Sequence, residues 1–190
     1  MNTFLRLFSS TTLLCCAACS QANDKTAKPP STPKPIVNPS NEPLTKAAKA
    51  GSITLGGGCF WCVEAVYQRI DGITKVTSGY MGGTVANPTY KQISTGRTGH
   101  AEVVKVEFNP AKITLEKVLA VFWKAHDPTT LNRQGADIGT QYRSAIFYHT
   151  DADKAVAEKS LKAAGKSGEF RTPIVTEITP AATFYKAEGY

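Results

Sequence analysis

The chain has 190 residues, enough for one domain with extensions, and its 42% apolar and 19% charged content is ordinary for a globular protein. The formal charge of +7 is not gathered on the part that folds: residues 51–190 carry 16 Lys and Arg against 13 Asp and Glu, and most of the remainder comes from Arg6, Lys25, Lys28, Lys34, Lys46 and Lys49. With no basic stripe and no nucleic-acid motif, the composition excludes a nucleic-acid partner.

Arg6 precedes LFSSTTLLCCAA, a weakly apolar stretch of the length of a secretory h-region. It is too short and too rich in hydroxyls to span a bilayer of about 30 Å. Ala17 and Ala18 then lead into Cys19, after which the chain turns polar. Residues 1–18 therefore resemble a lipoprotein signal peptide, with Cys19 as the lipidation site and the only membrane contact. Cys16 stands where such signals usually carry Leu, so cleavage without lipid is the alternative. Either route implies export to the cell envelope or periplasm. Residues 19–50, rich in Pro, Ser and Lys, form an expected disordered linker, and 51–190 form the expected domain.

Within that domain, 52–55 reads as a strand running into Gly56-Gly57-Gly58. A helix then starts at Cys59, with Trp61, Ala65, Val66 and Ile70 near helical spacing, and Gly72 ends it. A second strand over 73–80 closes at Gly82-Gly83, and 84–99 carries turn chemistry. The alternation of EVVKVEF predicts a strand over 102–108, stopped by Asn109-Pro110. Leu115, Val118, Leu119, Phe122 and Trp123 then lie at i, i+3, i+4, i+7 and i+8, the stripe of a helix packed on a sheet. Pro128 ends that helix, and 129–143 lacks periodicity. A strand over 145–148, a helix over 151–164 capped through Thr150 and Asp153, and a strand over 174–178 complete the chain. The order β-α-β-β-α-β, then α-β, predicts an α/β fold of the α+β two-layer sandwich kind, with helices on one side of the sheet.

The chemistry centres on GGGCFWCVEA. Cys59 and Cys62 are the domain's two cysteines, and His100, His126 and His149 lie too far apart in the chain to complete a zinc set, so no metal is expected. A cysteine at a helix start, beneath unpaired backbone N–H groups, is instead placed to act as a thiolate. Cys62 follows one turn later on the same face and can close a disulfide once Cys59 is oxidised, with a structural thiol as the alternative reading for it.

The same stretch carries a family likeness. GCFWCVEAVY (58–67), GYMGG (79–83), NPTY (87–90), TGHAE (98–102), FNP (108–110), VFWKAHDPTT (121–130) and RQGADIGTQYRSAIF (133–147) resemble the peptide methionine sulfoxide reductase A family, across nearly all of 53–190. The resemblance implies a ferredoxin-like core with an additional helix and strand and long active-site loops. It implies reduction of the S epimer of methionine sulfoxide, in proteins and as the free amino acid, with one enzyme serving each epimer. Cys59 matches the family's nucleophile and Glu102 its general acid. Tyr90 and Tyr142 match the residues that hold the sulfoxide oxygen, and Asp137 a further polar residue acting through water. Phe60 and Trp61 match a pocket for the substrate methyl. Read without the family, Glu102 is an ordinary surface charge, the two tyrosines are rim or core residues, and Asp137 is a turn former. His100, Glu64 and Arg143 also fall in matching motifs and are expected to be structural.

Many members of the family resolve the sulfenic acid on the nucleophile with cysteines in a C-terminal tail. Here no cysteine follows Cys62, which makes Cys62 the expected internal resolving residue. No bound cofactor is expected; the external reductant would be a thioredoxin-type dithiol, and the protein a monomer acting on oxidised envelope proteins. The rivals are a thiol–disulfide oxidoreductase using C-F-W-C directly and a lipid-anchored binding module.

Overall fold

A computed structural model describes residues 50–189; the leader expected over 1–18, Cys19, and all but the last residue of the linker expected over 19–50 lie outside the described residues. In chain order the elements are β1 (Gly51–Gly57), α1 (Phe60–Tyr67), β2 (Ile73–Met81), α2 (Tyr90–Ile93), β3 (Ala101–Phe108), α3 (Leu115–Ala125), β4 (Arg133–Gln134), β5 (Asp137–Ile138), a 3-10 turn (Thr140–Tyr142), β6 (Ser144–Tyr148), α4 (Asp151–Lys166), β7 (Glu177–Pro180) and β8 (Tyr185–Lys186).

Six strands form one sheet in the order β7-β6-β1-β3-β2-β8. Its middle, β6-β1-β3-β2, is antiparallel throughout and has the strand order of the expected ferredoxin-like core. Only β7, beside β6, runs parallel to its neighbour, as a strand reached through the crossover helix α4 can. The period-2 pattern decides the two faces. Ile53, Leu55, Tyr80, Val104, Val106 and Ile146 point into the main core shared with the helices. Met81, Ala101, Val103, Ala145 and Phe147 point the other way, where Ala181 and Phe184 of the C-terminal segment pack on them.

The helical layer follows the expected stripes only in part. On α3 the buried residues are Val118, Leu119, Phe122 and Trp123, as the spacing predicts, each worth about 1.5–3 kcal/mol when fully buried. On α4, Thr150 caps the start by accepting from the Asp153 N–H, also as predicted. On α1 the expected stripe is wrong: the core takes Phe60, Val63 and Tyr67, and Trp61 is 48% exposed. The turn at Gly58 sets the phase of α1, and that phase drives Phe60 against Tyr80, ring centroids 5.9 Å apart, instead of Trp61. Tyr67 then ties α1 to α3, its buried hydroxyl donating to the Val118 carbonyl at 2.9 Å. Trp123 ties α3 to α4 through Ser160, at 2.7 Å.

Three further differences lie in segments without periodicity. The loop expected over 84–99 contains α2, held by a Thr89–Gln92 capping box. The loop expected over 129–143 contains the β4–β5 hairpin and the 3-10 turn. The final strand expected over 174–178 forms three residues later as β7, because its pairing with β6 starts at Ala145↔Glu177; β8, at the opposite edge, has no sequence forecast.

Candidate functional site

The strand β1 delivers the chain to three glycines, and the last is needed for its conformation. Gly58 has φ +86, and a Cβ there would lie 2.5 Å from Gln134 Cγ. Cys59 follows as the N-cap of α1, one position before the expected one. Its carbonyl accepts from the N–H groups of Cys62 at 3.1 Å and Val63 at 3.3 Å.

The two cysteines are free and unequally exposed: Cys59 is half-buried and Cys62 exposed. A side-chain hydrogen bond to Cys59 raises the Cys62 pKa, and burial and the charges of Cys59 and Asp137 add to it. Each of these causes favours the protonated form of Cys62.

Beside the pair stands a wall of four rings. Phe60 is buried and lies 5.5 Å from Trp61, 5.9 Å from Tyr80 and 6.4 Å from Tyr90, centroid to centroid. Trp61 and Tyr90 stack at 6.0 Å. The wall joins α1, β2 and α2, so no one segment forms it. These spacings are those of favourable offset and tilted aromatic pairs.

Glu102 lies near the start of β3, opposite Tyr80 in the sheet register, and is 2% exposed. Its Oε2 accepts from the Phe60 N–H at 3.3 Å, at the first turn of α1. Its Oε1 is buried with no hydrogen-bond partner among the described residues. Burial pushes its pKa up to about 7, the Asp137 charge adds to the rise, and the Phe60 N–H works against it. Burial likewise raises the Tyr142 pKa, with the charges of Glu102, Tyr90 and Asp137 behind it, so its phenol keeps its proton. The charge of Asp137 acts on Cys62, Glu102 and Tyr142, and those of Glu102 and Tyr90 act on Tyr142, so these five residues, from α1, α2, β3, β5 and the 3-10 turn, lie in one neighbourhood. Asp137 itself is exposed.

The residues expected to be structural are fully engaged. His100 accepts from Gly83 N at Nδ1, 3.0 Å, and donates from Nε2 to the Val85 carbonyl, 2.8 Å. Arg143 donates to the carbonyls of Thr140 and Gly99 and pairs with Glu177, which holds the 3-10 turn bearing Tyr142 to the 94–99 loop. Glu64 accepts from Gln68 and from Ser78.

Two supporting residues escaped the sequence reading. The Gln134 amide bonds both Asp127 backbone groups, Oε1 from N at 3.1 Å and Nε2 to O at 3.0 Å, while its stem packs on Gly58. It thereby fixes the hairpin that carries Asp137 against the cysteine loop. Glu188 accepts from the Tyr80 hydroxyl and from the Tyr90 N–H. No local pattern marks either one; the Glu188 partners lie 108 and 98 residues away in the chain.

The profile of the family described as "Peptide methionine sulfoxide reductase" matches residues 51–190. A protein of Methanoculleus marisnigri named "Peptide methionine sulfoxide reductase MsrA" is 56% identical over 137 residues, which are 72% of this chain and 84% of that protein. Among solved structures, reduced Mxr1 from Saccharomyces cerevisiae is similar with a TM-score of 0.71 and 39% identity, over 76% of this chain and 83% of that one. Mxr1 in complex with Trx2 is similar with a TM-score of 0.56 and 30% identity, over 77% and 88%.

Proposed function

The chain belongs to the peptide methionine sulfoxide reductase family, and from that premise we propose that it reduces the S epimer of methionine sulfoxide, in proteins and as the free amino acid, through Cys59. Family membership makes it an oxidoreductase acting on methionine sulfoxide; the epimer, the roles of the residues and the reductant are our reading.

The Cys59 thiolate attacks the sulfoxide sulfur, whose methyl rests against Phe60 and Trp61, where sulfur–aromatic contact contributes up to about 1.5 kcal/mol. Glu102 gives its proton to the sulfoxide oxygen, and the Tyr90 and Tyr142 hydroxyls hold that oxygen as its charge grows. Asp137, exposed at the mouth, orients water. Methionine leaves reduced by two electrons, and Cys59, oxidised by two, becomes a sulfenic acid. The Cys62 thiol condenses with it, releasing water and forming the Cys59–Cys62 disulfide. An external dithiol then donates two electrons and two protons and regenerates both thiols.

The observation that carries this reading is Glu102: a buried carboxyl with one oxygen unpartnered and a pKa of about 7, bonded to the helix turn that begins beside Cys59. Such an acid is half protonated at neutral pH and is matched to proton donation there. The protein reductant is of thioredoxin type; a solved relative in complex with Trx2 supports this, as does the exposure of Cys62. Residues 1–18 act as an export signal and Cys19 carries the lipid. The enzyme works as a monomer in the envelope, where an oxidising compartment makes a dedicated reducing partner necessary.

The test is turnover of each epimer of a methionine sulfoxide peptide with dithiothreitol. The S epimer is consumed and the R epimer is not. Cys59→Ser lowers the rate by about 10⁴-fold or more. One turnover without reductant removes two free thiols, one each from Cys59 and Cys62. Consumption of neither epimer overturns the function; activity in Cys59→Ser overturns the mechanism.

A further inference from the structure

We infer that Glu188 is a positioning residue that holds the aromatic wall of the substrate pocket in its binding geometry. The wall is made by rings from three elements, and two of those elements are joined through one carboxylate. Glu188 Oε2 accepts from the Tyr80 hydroxyl at 2.9 Å, and Oε1 accepts from the Tyr90 N–H at 2.8 Å. Tyr80 is fully buried on β2, and Tyr90 opens the short α2. Each touches Phe60, and Tyr90 also stacks on Trp61.

The backbone around Glu188 is aimed rather than loose. The strand β8 pairs with β2 through Gly79↔Lys186 and Tyr80↔Tyr185, and Ala187 N donates to the Ser78 carbonyl at 3.0 Å. A Cβ on Gly79 would lie 2.4 Å from both Phe184 Cζ and the Tyr185 carbonyl, so this close approach requires a glycine on β2. Tyr185 in turn meets His100 edge-on at 5.5 Å. The segment therefore delivers Glu188, itself exposed, to a defined place, with its carboxylate forked between the Tyr80 hydroxyl and the Tyr90 backbone N–H. The Tyr90 N–H, followed by the Glu188 backbone and the Tyr80 hydroxyl, holds its carboxyl below the ordinary range, so the fork carries a charge at neutral pH and its hydrogen bonds are of the charge-assisted kind.

α2 has four residues and a capping box of its own, which secures its first turn from within. Glu188 secures that turn from outside and sets its distance from Tyr80. The spacing of the wall, and with it the contact that a substrate methyl makes, is then decided by a residue that touches no substrate.

This inference rests on the proposed role of Phe60 and Trp61 as the methyl wall. The test measures kcat and KM, with dithiothreitol, for an S-sulfoxide peptide and for dimethyl sulfoxide, which presents only the S=O and methyl groups. Thermal melting is followed for every variant. Glu188→Ala raises KM for both substrates by about tenfold while kcat falls by less than about threefold. Glu188→Gln, which keeps one acceptor oxygen, raises KM by about threefold. Tyr80→Phe raises KM in the wild-type background and adds little on top of Glu188→Ala, because Glu188→Ala already removes the hydrogen bond that Tyr80→Phe breaks. A KM for Glu188→Ala within about twofold of wild type overturns the inference. Additive effects of Glu188→Ala and Tyr80→Phe also overturn it, since a general loss of stability adds. Wild-type protein that consumes neither sulfoxide fails the proposed function itself, and that result is read before any variant is made.

Discussion

His100 is 1% exposed and Glu102 is 2% exposed, and one residue separates them in the chain. Both nitrogens of His100 are committed, one to Gly83 and one to Val85, and the ring pins the turn that follows β2. Glu102 has one oxygen on Phe60 N and leaves the other buried without a partner. The half-buried His126 repeats the first pattern, with Nδ1 on the Phe122 carbonyl and Nε2 on Ser144, whose hydroxyl continues to Thr176. In these two histidines, which serve the fold, both ring nitrogens are spent. Ser52 Oγ, Gln141 Oε1 and Thr179 Oγ1 are also buried without a partner among the described residues, at a cost of about 1–3 kcal/mol each, but of the four only Glu102 is an acid, and it is bonded to the turn that begins beside Cys59.

The largest effect that sharpens this contrast is on rate. Glu102→Gln keeps the shape and removes the proton, so kcat/KM falls by about 10²–10⁴-fold. In the wild type, kcat/KM declines as pH rises through about 7, where Glu102 loses its proton; the residual activity of the variant lacks that decline. A pH profile of both proteins checks it, and an unchanged alkaline limb in the variant would assign the limb to another group.

The same substitution has an opposite sign in stability. The Glu102 pKa is raised from 4.5 to about 7 by burial, so the folded state holds the proton more tightly than the unfolded state. Stability from this group is complete below the unfolded value and is lost as pH rises through the folded one. Glu102→Gln removes that loss and is more stable than wild type by about 3 kcal/mol above pH 8, with the difference vanishing near pH 4. Denaturant melts at the two pH values measure it. A variant less stable than wild type at high pH would break the contrast, because Glu102 would then be a supporting group like His100.

A smaller effect is expected at the satisfied end. His100→Ala strands the Gly83 N–H and the Val85 carbonyl and costs about 2–3 kcal/mol of stability. Its kcat, measured on folded protein well below the melting temperature, stays within about threefold of wild type, since His100 touches none of the rings or thiols assigned to the substrate. A kcat loss as large as that of Glu102→Gln would place His100 in the chemistry.

Much of this was legible in the residues themselves. The stripe on α3, the cap at Thr150, the alternation of β3 and the glycine run before Cys59 are local signals, produced by periods of two and 3.6 residues and by single-residue backbone preferences. They were enough for a two-layer α/β sandwich and for a cysteine at a helix start. The motif matches named Glu102, Tyr90, Tyr142 and Asp137 as a set, although each one alone reads as an ordinary surface or turn residue. The buried face of α1 was misread, because the apolar residues of α1 fall on more than one face and only the phase set at Gly58 selects Phe60 over Trp61.

By itself, then, the sequence determined the order of the main strands and helices and which thiol pair stands at the head of a helix, but not α2, the β4–β5 hairpin, the 3-10 turn or β8. The tertiary structure alone decided the rest: that Glu102 is buried with its pKa raised to about 7, that the Cys62 pKa is raised beside Cys59, and that Glu188 joins the Tyr80 hydroxyl to the Tyr90 N–H. The physical reason is range. Helix and strand preferences act over a few residues, whereas a pKa depends on everything packed around the group, and a contact between residues about a hundred positions apart leaves no mark in either neighbourhood.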